Sequence, residues 1–277
     1  MPVHIVTDST SDVPKDVVEA LGITVVPLTI SFGEQSYRDG IDLTPDEFYA
    51  RLQAEKEMPK TSQPPPALFE YVYRHLTTQG DVVSVHLSHK FSGTVETARS
   101  VARELAPDKI TVIDTGLASM GAGFCAIAAA KAAKAGADRA TCAAIAEDVA
   151  RRVDLLVAFE TLEYLRRGGR IGRARAFLGG LLRLKPLLTI KDGESFPVAR
   201  VRSHAKALDE LAALCTKHAN VTDVVVLHTT TPDDADELER RAREALPRAT
   251  IYKGRFGPSL GTHGGPGMIG IAVVAGE

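Results

Sequence analysis

Residues 3–22, "VHIVTDSTSDVPKDVVEALG", decide the fold class. A β-branched run at 3–8 is followed by a loop of small hydroxyl and acidic residues, then by a helical segment that Pro14 opens and Gly22 closes. Strand, polar loop and helix make one βα unit, and the pattern recurs. "DVVSVHLS" (81–88) leads into "GTVETARSVARELA" (93–106), and "KITVIDT" (109–115) is the next strand. Between them, "ITVVPLTISFG" (23–33) reads as a strand. "TPDEFYARLQAEK" (44–56) reads as a helix with Thr44 as N-cap and Glu47 completing a capping box. "TSQPPPALFEYVYRHLTTQG" (61–80) reads as a helix entered at Ser62 or Gln63. Strands alternating with helices predict a parallel sheet covered on both faces.

The second half changes character. Residues 118–153 are Ala-rich and helical, interrupted at Gly136. Beyond them, "DLLVAFET" (154–161) predicts a strand, "LEYLRRGG" (162–169) a short helix, and "PLLTIKDGESFPVARVRS" (186–203) a hairpin turning at Asp192-Gly193. Helical 204–219 and 232–247 then alternate with strand-like 221–231, 249–257 and 268–276. The predicted architecture is α/β in two domains. An N-terminal three-layer α/β/α domain (1–155) has a mostly parallel sheet, and a C-terminal α/β domain (156–277) has a mixed one.

Composition narrows the function. The 277 residues carry a formal net charge of -2, which gives no global reason to expect nucleic acid or an anionic membrane as partner. Cys125, Cys142 and Cys215 form no CxxC pair, so neither a disulfide framework nor a zinc site is suggested, and a reducing cytoplasm fits best. The longest apolar run stops at Lys131, too short for a membrane span. Nothing in the motifs calls for a cofactor or a metal.

Three loops at the carboxyl ends of predicted strands are rich in hydroxyls: "DSTSD" (8–12), "TSQP" (61–64) and "SHKFSGT" (88–94). Each can offer N–H and O–H donors to an anion at a helix N-terminus, although helix capping alone also accounts for such residues. In "FSGT" the glycine permits close approach of backbone to a ligand. A fourth loop, "GPSLGTHGGPGMIGIAVV" (257–274), places His263 among six glycines, with its imidazole expected to face a cleft. It also contains G-x-S-x-G around Ser259, the string of a serine-hydrolase nucleophile elbow. The context argues against an elbow, because glycines and a strand, not a helix, are expected after Ser259, and no aspartate remains downstream. "GAGFCA" (121–126) spells a dinucleotide fingerprint, but without a tight strand-to-glycine turn before it or a strand after it, and no P-loop is present.

Taken together, "VTDSTSD", "VVPLTISFGEQSYRDGIDLT", "KTSQPPP", "SHKFSGTVETA", "VIDTGLASMGAG", "LEYLRRGGRIG", "KPLLTIKDG" and "HGGPGMIG" resemble, in order and across nearly the whole chain, the DegV family of bacterial fatty-acid-binding proteins. The resemblance implies a long-chain fatty acid between two domains, with its carboxylate at the interdomain cleft. It also implies a carrier, not an enzyme, that hands the acid to a separate ATP-dependent kinase for acyl-phosphate formation in phospholipid synthesis. The fold is similar to a domain of dihydroxyacetone kinases, whose activity does not carry over. The family's carboxylate-binding hydroxyls correspond to Thr61 and Ser62 and to Ser92 and Thr94, with Gly93 between them, and the histidine of its H-x-GPG motif corresponds to His263. "TSQPPP" departs from the family after its first proline, where a small polar residue is more usual.

Residues 164–191 contain six arginines and two lysines' worth of basic character around Arg170 and Arg173, with no acidic residue, which predicts either a solvated face or a docking surface. RNA fits poorly because stacking aromatics are scarce there. Arg170 and Arg173, with Arg200 and Arg202, are therefore expected to meet an acidic kinase surface or the transferring phosphoryl group. The Ala-rich helix and "FLGGLLRL" (177–184) are expected to line the acyl tunnel, though periodicity does not separate a tunnel wall from a core. The competing class is an enzyme acting on a small carboxylate or phosphate at the same loops.

Overall fold

The chain order that emerges is the predicted βα alternation followed by a mixed sheet, seen in a computed structural model that describes residues 1–55, 57–178 and 184–276. The first part runs β1 (Val3–Asp8), α1 (Lys15–Leu21), β2 (Thr24–Val26), β3 (Thr29–Phe32), β4 (Gln35–Arg38), α2 (Pro45–Ala54), β5 (Lys60–Ser62) and α3 (Pro66–Thr77). It continues with β6 (Asp81–His86), α4 (Thr94–Leu105), β7 (Ile110–Asp114), α5 (Met120–Lys134) and α6 (Arg139–Arg152). The second part runs β8 (Val153–Ala158), α7 (Glu163–Arg167), β9 (Lys185–Lys191), β10 (Glu194–Val201), α8 (His204–Ala213) and β11 (Val221–His228). It ends with α9 (Pro232–Ala245), β12 (Thr250–Arg255), α10 (Pro258–Gly264) and β13 (Ile269–Ala275).

Contacts divide the chain into two units, one of residues 1–29 and 61–151, the other of 30–60 and 152–277. Where the sequence suggests a single break near residue 155, segment 30–60 clusters instead with the second unit. The cause is local packing. Tyr49 Oη donates to the Phe256 carbonyl at 2.8 Å, Arg255 pairs with Asp46 at 2.6 Å, and Phe48 and Tyr49 join a core with Ile30, Phe32, Leu43 and Leu52.

In the first unit, β2-β1-β6-β7 form a wholly parallel sheet. Phe69 and Tyr73 of α3 and Ala98, Val101 and Ala102 of α4 bury one face of it against Val6, Val26 and Val82. Residues 23–33 are not one strand: the chain breaks at Pro27, which has no N–H for a ladder, and resumes as β3. The second unit has a mixed sheet of order β10-β9-β8-β13-β11-β12, in which only the β11–β12 pair is parallel. The β9–β10 hairpin turns where expected. Asp192 and Gly193 both have positive φ (52° and 80°), the conformation a tight two-residue turn demands.

Within the first unit lies a fully buried polar chain. Tyr73 Oη donates to Ser84 Oγ at 2.8 Å, Ser84 Oγ meets His86 Nε2 at 2.7 Å, and His86 Nδ1 meets Asp8 Oδ2 at 2.8 Å. Asp8 also accepts from Leu87 N, Thr10 N and Thr10 Oγ1. Four donors thus satisfy one buried carboxylate, which ties the loop after β1 to the loop after β6. Ser84, His86 and Asp8 have the order of a hydrolytic triad, but all are buried and Tyr73 covers the serine, so no substrate reaches it. Asp8→Asn, which turns an amide N–H₂ toward these donors, is expected to cost about 2–4 kcal/mol in urea unfolding, whereas an exposed Asp→Asn change such as Asp16→Asn is expected to be near neutral.

Candidate functional site

Each unit presents its own group of sequence-predicted residues. In the first unit, Thr61 and Ser62 lie on β5, and Ser92, Gly93 and Thr94 lie at the entry to α4. The N-cap of α4 is Gly93 and that of α3 is Pro65, and neither helix has a side-chain cap. Ser62 therefore does not open α3, as the sequence suggests, because the prolines move the helix start to Pro66. Ser92 Oγ and Thr94 Oγ1 face each other at 2.9 Å. The turn that carries them is fixed by backbone bonds from Phe91 N and Ser92 N to the Ser88 carbonyl, one residue beyond the Asp8 network. The "DSTSD" loop, by contrast, has polar atoms that are already engaged. Thr10 is committed to Asp8, and Ser9 Oγ accepts from Leu28 N at 3.0 Å.

Gln63, which sequence reasoning passed over except as a cap, joins the two hydroxyl groups. Its Nε2 donates to Thr97 Oγ1 at 2.6 Å, and Thr97 Oγ1 donates to the Gly93 carbonyl at 3.2 Å. A Cβ at Gly93 would overlap Gln63 Oε1 and lie 3.0 Å from its Cδ.

In the second unit, His263 sits in the last turn of α10. Gly168, just past α7, lets its imidazole in: a Cβ there would overlap His263 Nδ1. Arg170 closes the same turn by donating from Nη1 to the Gly168 carbonyl at 2.7 Å, and Ser195 Oγ donates to the Arg170 carbonyl at 2.9 Å. The glycine turn after α10 is clamped by two residues outside the motifs singled out above. Thr230 Oγ1 accepts from Gly267 N, and Thr229 Oγ1 accepts from Met268 N. Their signal was the run "HTTT" at the end of β11, the strand-end position where such loops collect.

The predicted arginines separate. Arg170 stands beside His263, but Arg173 pairs with Asp192 at 3.3 Å and Glu194 at 3.2 Å of the hairpin. Arg200 stacks on Phe177 at 4.3 Å and donates to the Ala176 carbonyl at 3.1 Å, while Arg202 is exposed. The acid-free window is thus balanced by acids just outside it, since Glu163 pairs with Arg166 and Glu160 with Lys185. Residues 179–183, most of the second expected tunnel segment, lie outside the described residues. The Ala-rich α5 is buried from Met120 through Ile127. No helix among the described residues is long and apolar enough to cross a membrane, and no cluster among them has the makings of a metal site.

Ser259 needs a correction. It stands on a strand-to-helix passage after all, because β12 leads into α10 despite the glycines. Pro258 at the first helical position supplies the start that the glycines obscure in the sequence. The hydrolase reading still fails, since Ser259 is 2% exposed and its Oγ has no hydrogen-bond partner, hence no base to activate it.

A model of the DegV family matches residues 2–276. A DegV domain-containing protein of Streptomyces coelicolor is 39% identical over 276 residues, covering 98% of each chain. Among solved structures, a DegV family protein from Thermus thermophilus described by its fatty acid binding superposes with a TM-score of 0.92 at 35% identity, covering 99% of this chain and 100% of that one. DegV of Bacillus subtilis, described as a fatty acid binding protein, gives 0.90 at 30% identity over the whole of both chains. A stearic acid-binding protein from Eubacterium ventriosum gives 0.90 at 27% identity over 99% and 98%. An α/β fold with one parallel and one mixed sheet, and these full-length likenesses, define the class. The chain belongs to the DegV family.

Burial, and secondarily the Arg170 cation, push the His263 imidazole down from 6.5 to about 4. The group is neutral at pH 7, able to donate one N–H to an anion without itself carrying charge into the interior. Because the unfolded chain binds this proton near pH 6.5 and the folded chain only near pH 4, acid favours unfolding across that window. His263 is therefore expected to make stability rise by up to about 3 kcal/mol between pH 4 and 6.5 and level off above it. Chemical denaturation across this range is expected to show the slope in the natural chain and a shallower one in His263→Gln.

Proposed function

We propose that this chain binds a long-chain fatty acid and presents it to a separate kinase, without catalysing a reaction alone. The observation that carries this reading is full-length similarity to the fatty-acid-binding DegV proteins of Thermus thermophilus and Bacillus subtilis. Its carboxylate is held by the hydroxyls of Thr61, Ser62, Ser92 and Thr94 with Gly93, and by the neutral imidazole of His263. A carboxylate taken from water needs charge-assisted hydrogen bonds, and hydroxyl and imidazole donors supply them without adding a buried charge. The acyl chain supplies most of the affinity: at ~0.8 kcal/mol per buried methylene a long chain gains on the order of 10 kcal/mol before ordering costs.

An ATP-dependent kinase then phosphorylates the presented carboxylate, giving an acyl phosphate. Arg170 is the arginine best supported for contact with the phosphoryl group, because it adjoins His263. Arg173, Arg200 and Arg202 belong to the docking face, in which Arg173 is held by Asp192 and Glu194 of the hairpin and Arg200 by Phe177 and the Ala176 carbonyl.

Two measurements test this. Mass spectrometry of an organic extract from natively purified protein is expected to find fatty acid in near-stoichiometric amount, reduced in Ser62→Ala/Ser92→Ala. Absence of lipid from both folded proteins, with turnover of small esters or phosphates by the chain alone, would transfer the site to an enzyme. Charge reversal at Arg170 is expected to abolish kinase-dependent acyl-phosphate formation, measured per mole of bound lipid. Undiminished formation would remove the arginine from the reading.

A further inference from the structure

Gly93 has two possible reasons to lack a side chain: approach of a ligand to its backbone, or approach of Gln63. Its backbone does not require glycine, since φ is -73° and ψ 7°, which any residue adopts. What requires the missing Cβ is the amide of Gln63, whose Oε1 occupies its place and whose Cδ lies 3.0 Å from it. That amide is held there by donation from Nε2 to Thr97 Oγ1 at 2.6 Å, and Thr97 passes its own proton to the Gly93 carbonyl at 3.2 Å. Thr97 is one turn beyond Gly93 on α4 and is 9% exposed, so the acceptor is fixed by the helix and by burial. Thr61 and Ser62 immediately precede Gln63, while Ser92 and Thr94 flank Gly93.

We propose that Gln63 is a positioning residue: a latch that sets the spacing between the Thr61–Ser62 hydroxyls and the Ser92–Thr94 hydroxyls, with Gly93 as its keyhole and Thr97 as its catch. Gln63 does not touch the carboxylate in this scheme; it fixes the groups that do. The inference rests on the fatty-acid reading for its functional consequence, but not for the latch itself. Because the far end of a glutamine is flexible, a methyl group at position 93 displaces Gln63 instead of disrupting the fold. Gly93→Ala and Gln63→Ala therefore break the same contact.

The experiment is a double-mutant cycle on the full chain with Gly93→Ala, Gln63→Ala and the double variant. Hydrogen exchange of residues 60–65 and 92–98 without ligand, and stearate affinity, are both read. Each single variant is expected to raise exchange in both segments and to weaken stearate roughly tenfold, the effect of one lost hydrogen bond and its geometry. The double variant is expected to match the singles instead of multiplying them, with little change in the thermal midpoint. Thr97→Val is expected to reproduce the effect and Thr97→Ser to restore it.

Multiplying effects in the double variant, or a Gly93→Ala loss of affinity with unchanged exchange, would assign the glycine to the ligand and overturn the latch. If the natural chain bound no stearate but the exchange cycle were still non-additive, the latch would stand and the fatty-acid reading would fall.

Discussion

At Gly93 and Gly168 a neighbouring side chain occupies the space that a methyl group would fill: the amide of Gln63 at the first, the imidazole of His263 at the second. Close packing leaves no slack for both a Cβ and a neighbouring polar group, so these positions trade a side chain of their own for another residue's placement. The hydroxyl loops of the first unit and the histidine of the second each depend on one such approach. Neither glycine uses its backbone freedom there, since neither has positive φ. Their contribution is steric absence, which composition alone does not distinguish from a turn.

The electrostatic design is equally spare. The first unit offers hydroxyls and places its buried carboxylate, Asp8, behind them, already saturated by donors. The second offers a histidine kept neutral by burial, with one cation, Arg170, behind its glycine turn. Such surroundings favour an anion that brings its own charge and is met by dipoles. They give little to an acyl-transfer reaction, because Ser259 lacks a base and the Ser84–His86–Asp8 chain is sealed.

Much of the fold was legible because it rests on local signals. The βα alternation, the capping box at Thr44 and Glu47, and the turn at Asp192-Gly193 all appear where propensity and turn chemistry place them. What was not legible depends on contacts distant in sequence. Segment 30–60 goes with the second unit because Tyr49 reaches residue 256, some two hundred positions on. The arginine-rich window looked unpaired because Glu160, Glu163, Asp192 and Glu194 lie just outside it. The proposed site hydroxyls were identifiable as residues from their motifs, whereas Gln63 and Thr97, which hold the loops in place, carry no signal without the geometry, and Thr229 and Thr230 are marked only by the "HTTT" run at the end of β11. The helix at Pro258–Gly264 was hidden by glycines that depress helical propensity, an effect outweighed here by proline at the first position and by burial.

In the proposed complex, hydroxyls and a neutral imidazole hold an ionised fatty carboxylate. The most direct measurement is the ¹³C resonance of carboxyl-labelled stearate bound to the purified chain, followed with pH. Donors aimed at the charged form predict a bound signal that keeps its ionised position from pH 8 down to about pH 5, below the ordinary pKa of His263 and toward the usual carboxylate range. A bound signal that moves to the protonated position above pH 6, or no bound signal from folded protein, would contradict it.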